Sequence, residues 1–199
     1  DVYKRQVIRG INKVHIDTAL DGKTHCNVYS KGKTVLGREL SNFSLSPFDH
    51  PVHGVFDSVE GYWYWLTRLD DRLRSVSGVE AKELGRSLPK VRSYDTSELS
   101  ALFQYRITQA LDAKLERHPD MMARLISSRL PFVHYYVGKQ NGIYVGTVPD
   151  GSDFLMAHFT KVRQEKNPGV NFLEFDCAAA TLPTNIRKER ENTMQVSLF

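Results

Sequence analysis

The sequence predicts an α+β fold: a mainly helical single domain carrying small antiparallel β elements. Three observations predict it. Apolar residues recur at three- and four-residue spacing from Val59 to Leu73, from Leu99 to Leu115 and from Phe154 to Val162, the period of a buried helix face. Short runs of β-branched and aromatic residues lie between Gly, Asn and Pro turns on either side of the longest of these stretches. The 199 residues are 41% hydrophobic and 25% charged, which suits one sizeable core and neither a disordered nor a fibrous chain.

Taken in order, Val14-His15-Ile16 and Cys26-Asn27-Val28-Tyr29 read as short strands, and Thr34-Val35-Leu36 as a third after the turn Ser30-Lys31-Gly32-Lys33. From Asp57 the pattern is helical, with Val59, Tyr62, Trp63, Leu66, Leu69 and Leu73 on one face. Ser77 with Glu80 forms a capping-box pattern opening a helix through Leu84, with Gly85 as its stop. Asp95 with Glu98 repeats that pattern before the longest helix, which His118-Pro119 ends; a short helix follows from Asp120 to Ser127. Phe132 to Val137 and Ile143 to Val148 read as strands joined through Asn141-Gly142. A last helix carries Phe154, Leu155, His158, Phe159 and Val162, Asn167-Pro168-Gly169 stops it, and Val170 to Phe175 is expected to add a strand.

Asp1 to Gln6 resemble the translated end of a transposon-based sequencing adapter and are expected to be a scar. One domain is expected over 7–183 and a flexible tail over 184–199, where residues turn polar and charged. The formal charge of +4 suits an anionic ligand. Lys and Arg are spread along the chain without a concentrated patch, which ranks plain nucleic-acid binding last. No apolar run approaches the roughly 18–20 residues that span a bilayer, and no secretory pattern is seen, so no membrane partner and a cytoplasmic location are expected. Cys26 and Cys177 lack metal-type spacing and read as free thiols.

Several motifs fail on inspection. Gly22-Lys23-Thr24 and Gly32-Lys33-Thr34 lack the glycine a phosphate loop needs five residues before its Gly-Lys; Asp17 and Asn27 stand there. His50 and His53 have no further ligand nearby to complete a metal site. There is no nucleophile elbow and no glycine-rich dinucleotide fingerprint. What does suggest chemistry is the turn-forming Ser41-Asn42, followed by Glu60 among Tyr62, Trp63, Tyr64 and Trp65. Apolar walls raise a carboxyl pKa, and flat rings hold flat ligands, an arrangement suited to a nucleoside.

Leu40-Ser41-Asn42-Phe43-Ser44 with Ser46-Pro47-Phe48, then Ser58-Val59-Glu60-Gly61-Tyr62, then Ala81-Lys82-Glu83-Leu84-Gly85-Arg86 resemble the successive motifs of the NADAR (YbiA-like) family. Ala110-Leu111 with Ala113-Lys114-Leu115 is similar to that family's central helix. Tyr144-Val145-Gly146 and the helix from Phe154 to Arg163 are similar to its C-terminal motif. The resemblance covers about Asn27 to Arg163, and the run Ser58 to Trp65 is more similar to the phage-borne branch. It implies a mainly helical α+β fold and an N-glycosidase. The substrates it implies are phosphorylated ribosylamino pyrimidines, or ADP-ribose on guanine in DNA, the latter placing a phage protein in counter-defence in the host cytoplasm. The chain departs from the pattern at Gly61, where the family carries a histidine, and at Thr147, where it carries an acid. Leu99 and Phe103 stand for its central-helix Trp and Lys.

Cleaving an N-glycosidic bond requires a proton for the leaving nitrogen and a carboxylate near the cation developing at the anomeric carbon. Glu60 is the first candidate, with Asp150 or Asp153 from the loop before the last helix as the second. Lys82, Arg86 and Arg38 are candidates to hold phosphate or pyrophosphate. Ser41 and Asn42 are expected at the ribose or base, Phe43, Trp63, Tyr64 and Tyr144 as lining rings, and Gly146 beside the ligand. No cofactor and no metal is expected. Each residue also has a plain structural reading. Glu60 follows Asp57 at the spacing of a capping box. Asn42 suits an Asx turn, Arg86 a helix C-terminus, Asp150 and Ser152 N-caps, and Trp63 the core. His134 and His158 read as structural, and Trp65 as a surface anchor. A module that binds an ADP-ribose-like nucleotide without cleaving it is the alternative function.

Overall fold

The computed structural model describes residues 16–91, 100–140, 143–149 and 151–173, and every structural statement below concerns these residues. They form seven short strands and six α-helices. Strands β1 (Ile16–Asp17) and β2 (Cys26–Asn27) precede α1 (Val35–Leu40). The hairpin β3 (Phe48–His50) and β4 (Gly54–Phe56) leads into α2 (Val59–Arg68) and then α3 (Gly78–Ser87). After α4 (Ala101–Arg117) and α5 (Pro119–Ser127) come β5 (Phe132–Val133), β6 (Tyr136–Gln140) and β7 (Ile143–Thr147), and finally α6 (Asp153–Lys166). The class is the expected one: helical in the main, with small sheets. β1, β7 and β6 form one antiparallel sheet and β3 and β4 another, while β2 lies parallel to β5.

Several local expectations are corrected. Thr34-Val35-Leu36 starts a helix rather than a strand, because the Thr34 hydroxyl caps α1 by accepting from the Gly37 amide. The helix from Val59 stops at Arg68: Leu69 takes a left-handed conformation at φ 53°, and Leu73 belongs to a separate 3-10 turn, Asp71–Ser75. Ser58, not Asp57, caps α2. Its hydroxyl accepts from the Gly61 amide at 3.0 Å and donates to the Val76 carbonyl at 2.8 Å. Glu60 is therefore the second helical residue and not the third-position partner of a capping box. Ser77 caps α3 without a side-chain hydrogen bond, and Gly85 lies inside that helix rather than beyond it. Ser100 caps α4, its hydroxyl accepting from the Phe103 amide. The expected Asp95–Glu98 cap lies outside the described residues, as do Asn141-Gly142, Cys177 and the expected tail. Residues 170–173 form no strand.

One core joins α1, α2, α4, α5 and α6 with the β3–β4 hairpin. Tyr62 and Leu66 of α2 meet Phe103, Ile107 and Leu111 of α4 there. Phe48 and Phe56 pair across the hairpin, 6.0 Å between ring centroids and almost fully buried, each stabilising the fold by roughly 1.5–3 kcal/mol through burial. A smaller cluster, Leu73, Val76 and Ala81, joins α3 to the 3-10 turn. Trp65 is no free surface anchor: its indole packs on His53 and Phe56, and its N–H donates to Asp71 at 3.0 Å. His50 and His53 both bond to the Tyr62 hydroxyl, at 2.9 and 2.8 Å. Burial drives His50 down to about 4, so its ring is neutral in this apolar setting.

Candidate functional site

The loop between α1 and β3 and the first turn of α2 are locked together. The Glu60 amide donates to the Asn42 carbonyl at 2.9 Å, which joins the two sequence motifs in space. The loop itself is braced from within by Lys114. This side chain is 1% exposed, and its ammonium nitrogen donates to the Ser41 carbonyl at 3.0 Å and to the Ser44 hydroxyl at 2.7 Å. Burial pushes Lys114 down to about 7, only partly opposed by Glu39. Ser41 is buried beneath the loop, its hydroxyl accepting from the Phe43 amide, so its part in the site is to shape the turn.

On the outer side of this loop, Phe43 meets α3. The Lys82 ammonium lies 5.3 Å from the Phe43 ring centroid and 5.6 Å from that of Tyr136 on β6. Arg86 is one turn beyond Lys82 on the same helix face. Between them Gly85 turns the other way, against Tyr64. A Cβ at Gly85 would fall 2.1 Å from Tyr64 Cγ, so only glycine lets α3 approach α2 this closely. Glu60 is half-buried and borders the same group. Burial raises the Tyr136 phenol above its usual range. The Glu60 carboxylate, Tyr29 and Tyr64 add to that rise and Arg86 opposes it, which places Glu60 and Arg86 in electrostatic reach of one ring. Lys82 thus stands between Phe43 and Tyr136, and Glu60, Tyr64 and Arg86 lie within electrostatic range of the same ring.

The other candidates stand elsewhere. Trp63 packs edge-on against Phe103 at 4.8 Å and stacks on Phe154 at 6.2 Å, filling the junction of α2, α4 and α6. Asp153, exposed at the start of α6, directly precedes Phe154. Asp150 lies outside the described residues. Arg38 donates to the Gly32 and Lys33 carbonyls at 2.8 and 2.9 Å. It lines a separate groove of about 580 Å³ with Arg117, His118 and Arg124, and Phe43 borders both this groove and the Lys82 side. In the β6–β7 register Tyr144 pairs with Lys139 and Gly146 with Val137, whereas Tyr136 pairs with Thr147. Directly opposed residues share a sheet face and successive ones alternate. Tyr144 therefore stands on the face turned away from Tyr136, and Gly146 is a packing position, its Cβ place only 2.6 Å from the Tyr135 ring.

Three rings at this site carry no motif in the sequence. Tyr29 and His134 meet Tyr136 nearly at right angles, with centroids 5.8 and 5.1 Å away. His134 is anchored by donating from Nδ1 to the Val28 carbonyl at 2.7 Å, and burial lowers its pKa. Lys114 was detectable as a lysine on the apolar face between Leu111 and Leu115. Tyr136 was not, since its role depends on strand register. Among the described residues no three His, Cys, Asp or Glu side chains gather as a metal site requires, and no helix is long and apolar enough to cross a membrane.

Fold and site together define a mixed α+β domain presenting a carboxylate, two cations and several rings on one face. No protein-family model matches the sequence, and no curated protein matches it at the sequence level. In structure the chain is similar to the E. coli protein YbiA, solved by NMR, with a TM-score of 0.51 and 21% sequence identity. The alignment covers 81% of this chain and 90% of that one, and it shows that the fold is YbiA-like.

Proposed function

We propose that the chain is an N-glycosidase of the NADAR type, hydrolysing the bond between a ribosyl carbon and nitrogen in an ADP-ribosyl or ribosylamino-phosphate compound. The observation that carries this reading is the position of Glu60. It is the second residue of α2, its amide is tied to Asn42, and it lies within electrostatic range of Tyr136, as Arg86 does. The YbiA-like fold and the order of the motifs support the same reading. In the reaction the carbon–nitrogen bond breaks, its electron pair stays on nitrogen, and nitrogen takes a proton. Water adds its oxygen to the anomeric carbon and gives up a proton. Glu60 stabilises the positive charge at that carbon, and Lys82 and Arg86 hold the phosphate. Asp153, next to the Phe154 that stacks on Trp63 of α2, is the candidate for the second carboxylate. ADP-ribosylated DNA would present such a bond on guanine.

Incubation with ADP-ribosylated guanine DNA and with phosphorylated ribosylamino pyrimidines tests this. The wild type is expected to release a free ribosyl product, and Glu60→Gln to lower the rate by about 10²–10⁴-fold. Equal release by both proteins, or none from any substrate, overturns it. A second reading, a module that sequesters such a nucleotide without cleaving it, is favoured by Thr147. This neutral residue lies across from Tyr136, where the motif has an acid. Calorimetry showing tight binding with no turnover selects it.

A further inference from the structure

Tyr136 is unusual among the exposed rings. It is 43% exposed, yet its plane is fixed by two perpendicular neighbours, Tyr29 at an interplanar angle of 76° and His134 at 79°. His134 is in turn held by the Val28 carbonyl, and Val28 itself is hydrogen-bonded across to Val133, so the support reaches the parallel β2–β5 pair. A singly exposed tyrosine needs no explanation. Three clustered rings, with Lys82 standing between Tyr136 and Phe43, form a rigid aromatic face beside a cation. The chemistry that matches such a face is a flat, electron-rich ring joined to a phosphate. Aromatic stacking accepts any base, and the ammonium takes the anion next to it.

We infer that Tyr136, backed by Tyr29 and His134, is the stacking wall for a nucleobase of the ligand whose phosphate sits at Lys82, so that the substrate is a base-bearing nucleotide and not a bare ribosyl phosphate. The inference rests on the proposed site at Glu60 and adds to it the place of the base. The base lies against Tyr136 on the sheet face it shares with Thr147. Thr147, directly opposite, adds no charge of its own to that face.

Calorimetric titration of the whole chain with ADP-ribose and with ribose 5-phosphate tests it, using the wild type, Tyr136→Leu and Tyr136→Phe. Tyr136→Leu is expected to weaken ADP-ribose binding by roughly 5- to 100-fold while leaving ribose 5-phosphate unchanged, the span of one lost base–ring stack. Tyr136→Phe, which keeps the ring, is expected to bind ADP-ribose within about twofold of wild type and also shows that the strand tolerates substitution. Unchanged ADP-ribose affinity in Tyr136→Leu, or an equal loss for both probes, overturns the stacking role while the cleft reading survives. Failure of the wild type to bind either probe overturns both.

Discussion

Gly61 follows the proposed catalytic carboxylate, at a position where the resembling family carries a histidine, and the packing admits no side chain there. A Cβ would lie 2.3 Å from the Leu73 carbonyl oxygen and 3.1 Å from that of Val76, both backbone atoms that cannot swing aside. The 3-10 turn has closed on this residue. Any imidazole here would have to displace that turn and the Ser58 hydroxyl bonded to Val76. Gly61→His is therefore expected to destabilise the protein by at least about 1–3 kcal/mol, read as a lower urea midpoint, instead of restoring a family-like activity. A stable, more active Gly61→His protein would contradict this packing. Glu60 itself was identifiable from its motif, but its place one residue short of the capping-box position was not. Asp57 and Ser58 are both good caps, and only the bond from Ser58 to Val76, a contact between distant residues, decides between them.

At the level of elements, the site depends on how close α3 comes to α2. Gly85 is the contact, and Arg68 secures it by donating from Nε to the Gly85 carbonyl at 2.8 Å. Gly85→Ala places a methyl group inside the Tyr64 ring's space, so Tyr64 or α3 must shift and carry Lys82 and Arg86 with it. The expected result is a stability loss of about 1–3 kcal/mol with ADP-ribose affinity reduced as well; a fall in stability with affinity intact would show that the cations do not depend on this approach. The sequence pattern assigned Gly85 to a helix end, because glycine after an apolar run is commonly a stop. Its true reason is a neighbouring ring from another helix. α1 was hidden likewise: Thr34-Val35-Leu36 has strand propensity, but the Thr34 cap favours a helix. The long helices α2, α4 and α6 were legible from their apolar spacing alone. The parallel pairing of β2 with β5 was not, since two-residue strands leave no period to read.

Across the whole molecule, Lys114 links the core to the site loop, and its burial has a consequence for stability against pH. Its folded pKa, lowered to about 7, lies below the ordinary lysine value, so between the two the unfolded chain binds more protons than the folded one. Stability must then rise with pH across that window, because the cost of burying the ammonium is relieved as it deprotonates. Unfolding free energies from urea titrations between pH 7 and 9 are expected to increase by an amount on the order of 1–2 kcal/mol in the wild type relative to Lys114→Met, which lacks this rise. An equal slope in both proteins would contradict the assignment. Neutral Lys114 still has two N–H groups for Ser41 and Ser44, so the loop keeps its brace as the proton leaves. The gathering of Glu60, Phe43, Lys82 and Arg86 was partly readable as motifs in series. Tyr29, His134 and Tyr136 entered the site only through strand register and the packing of β6 beside α3.

The Glu60 carboxylate, on this reading, faces the scissile ribosyl carbon, and every other role at the site follows from that placement. A crystal structure of the Glu60→Gln variant soaked with ADP-ribosylated guanosine tests it most directly. The substituted amide is expected against the anomeric carbon, with phosphate on Lys82 and Arg86. Ligand bound solely in the Arg38–Arg117 groove, with that amide turned to solvent, would contradict it.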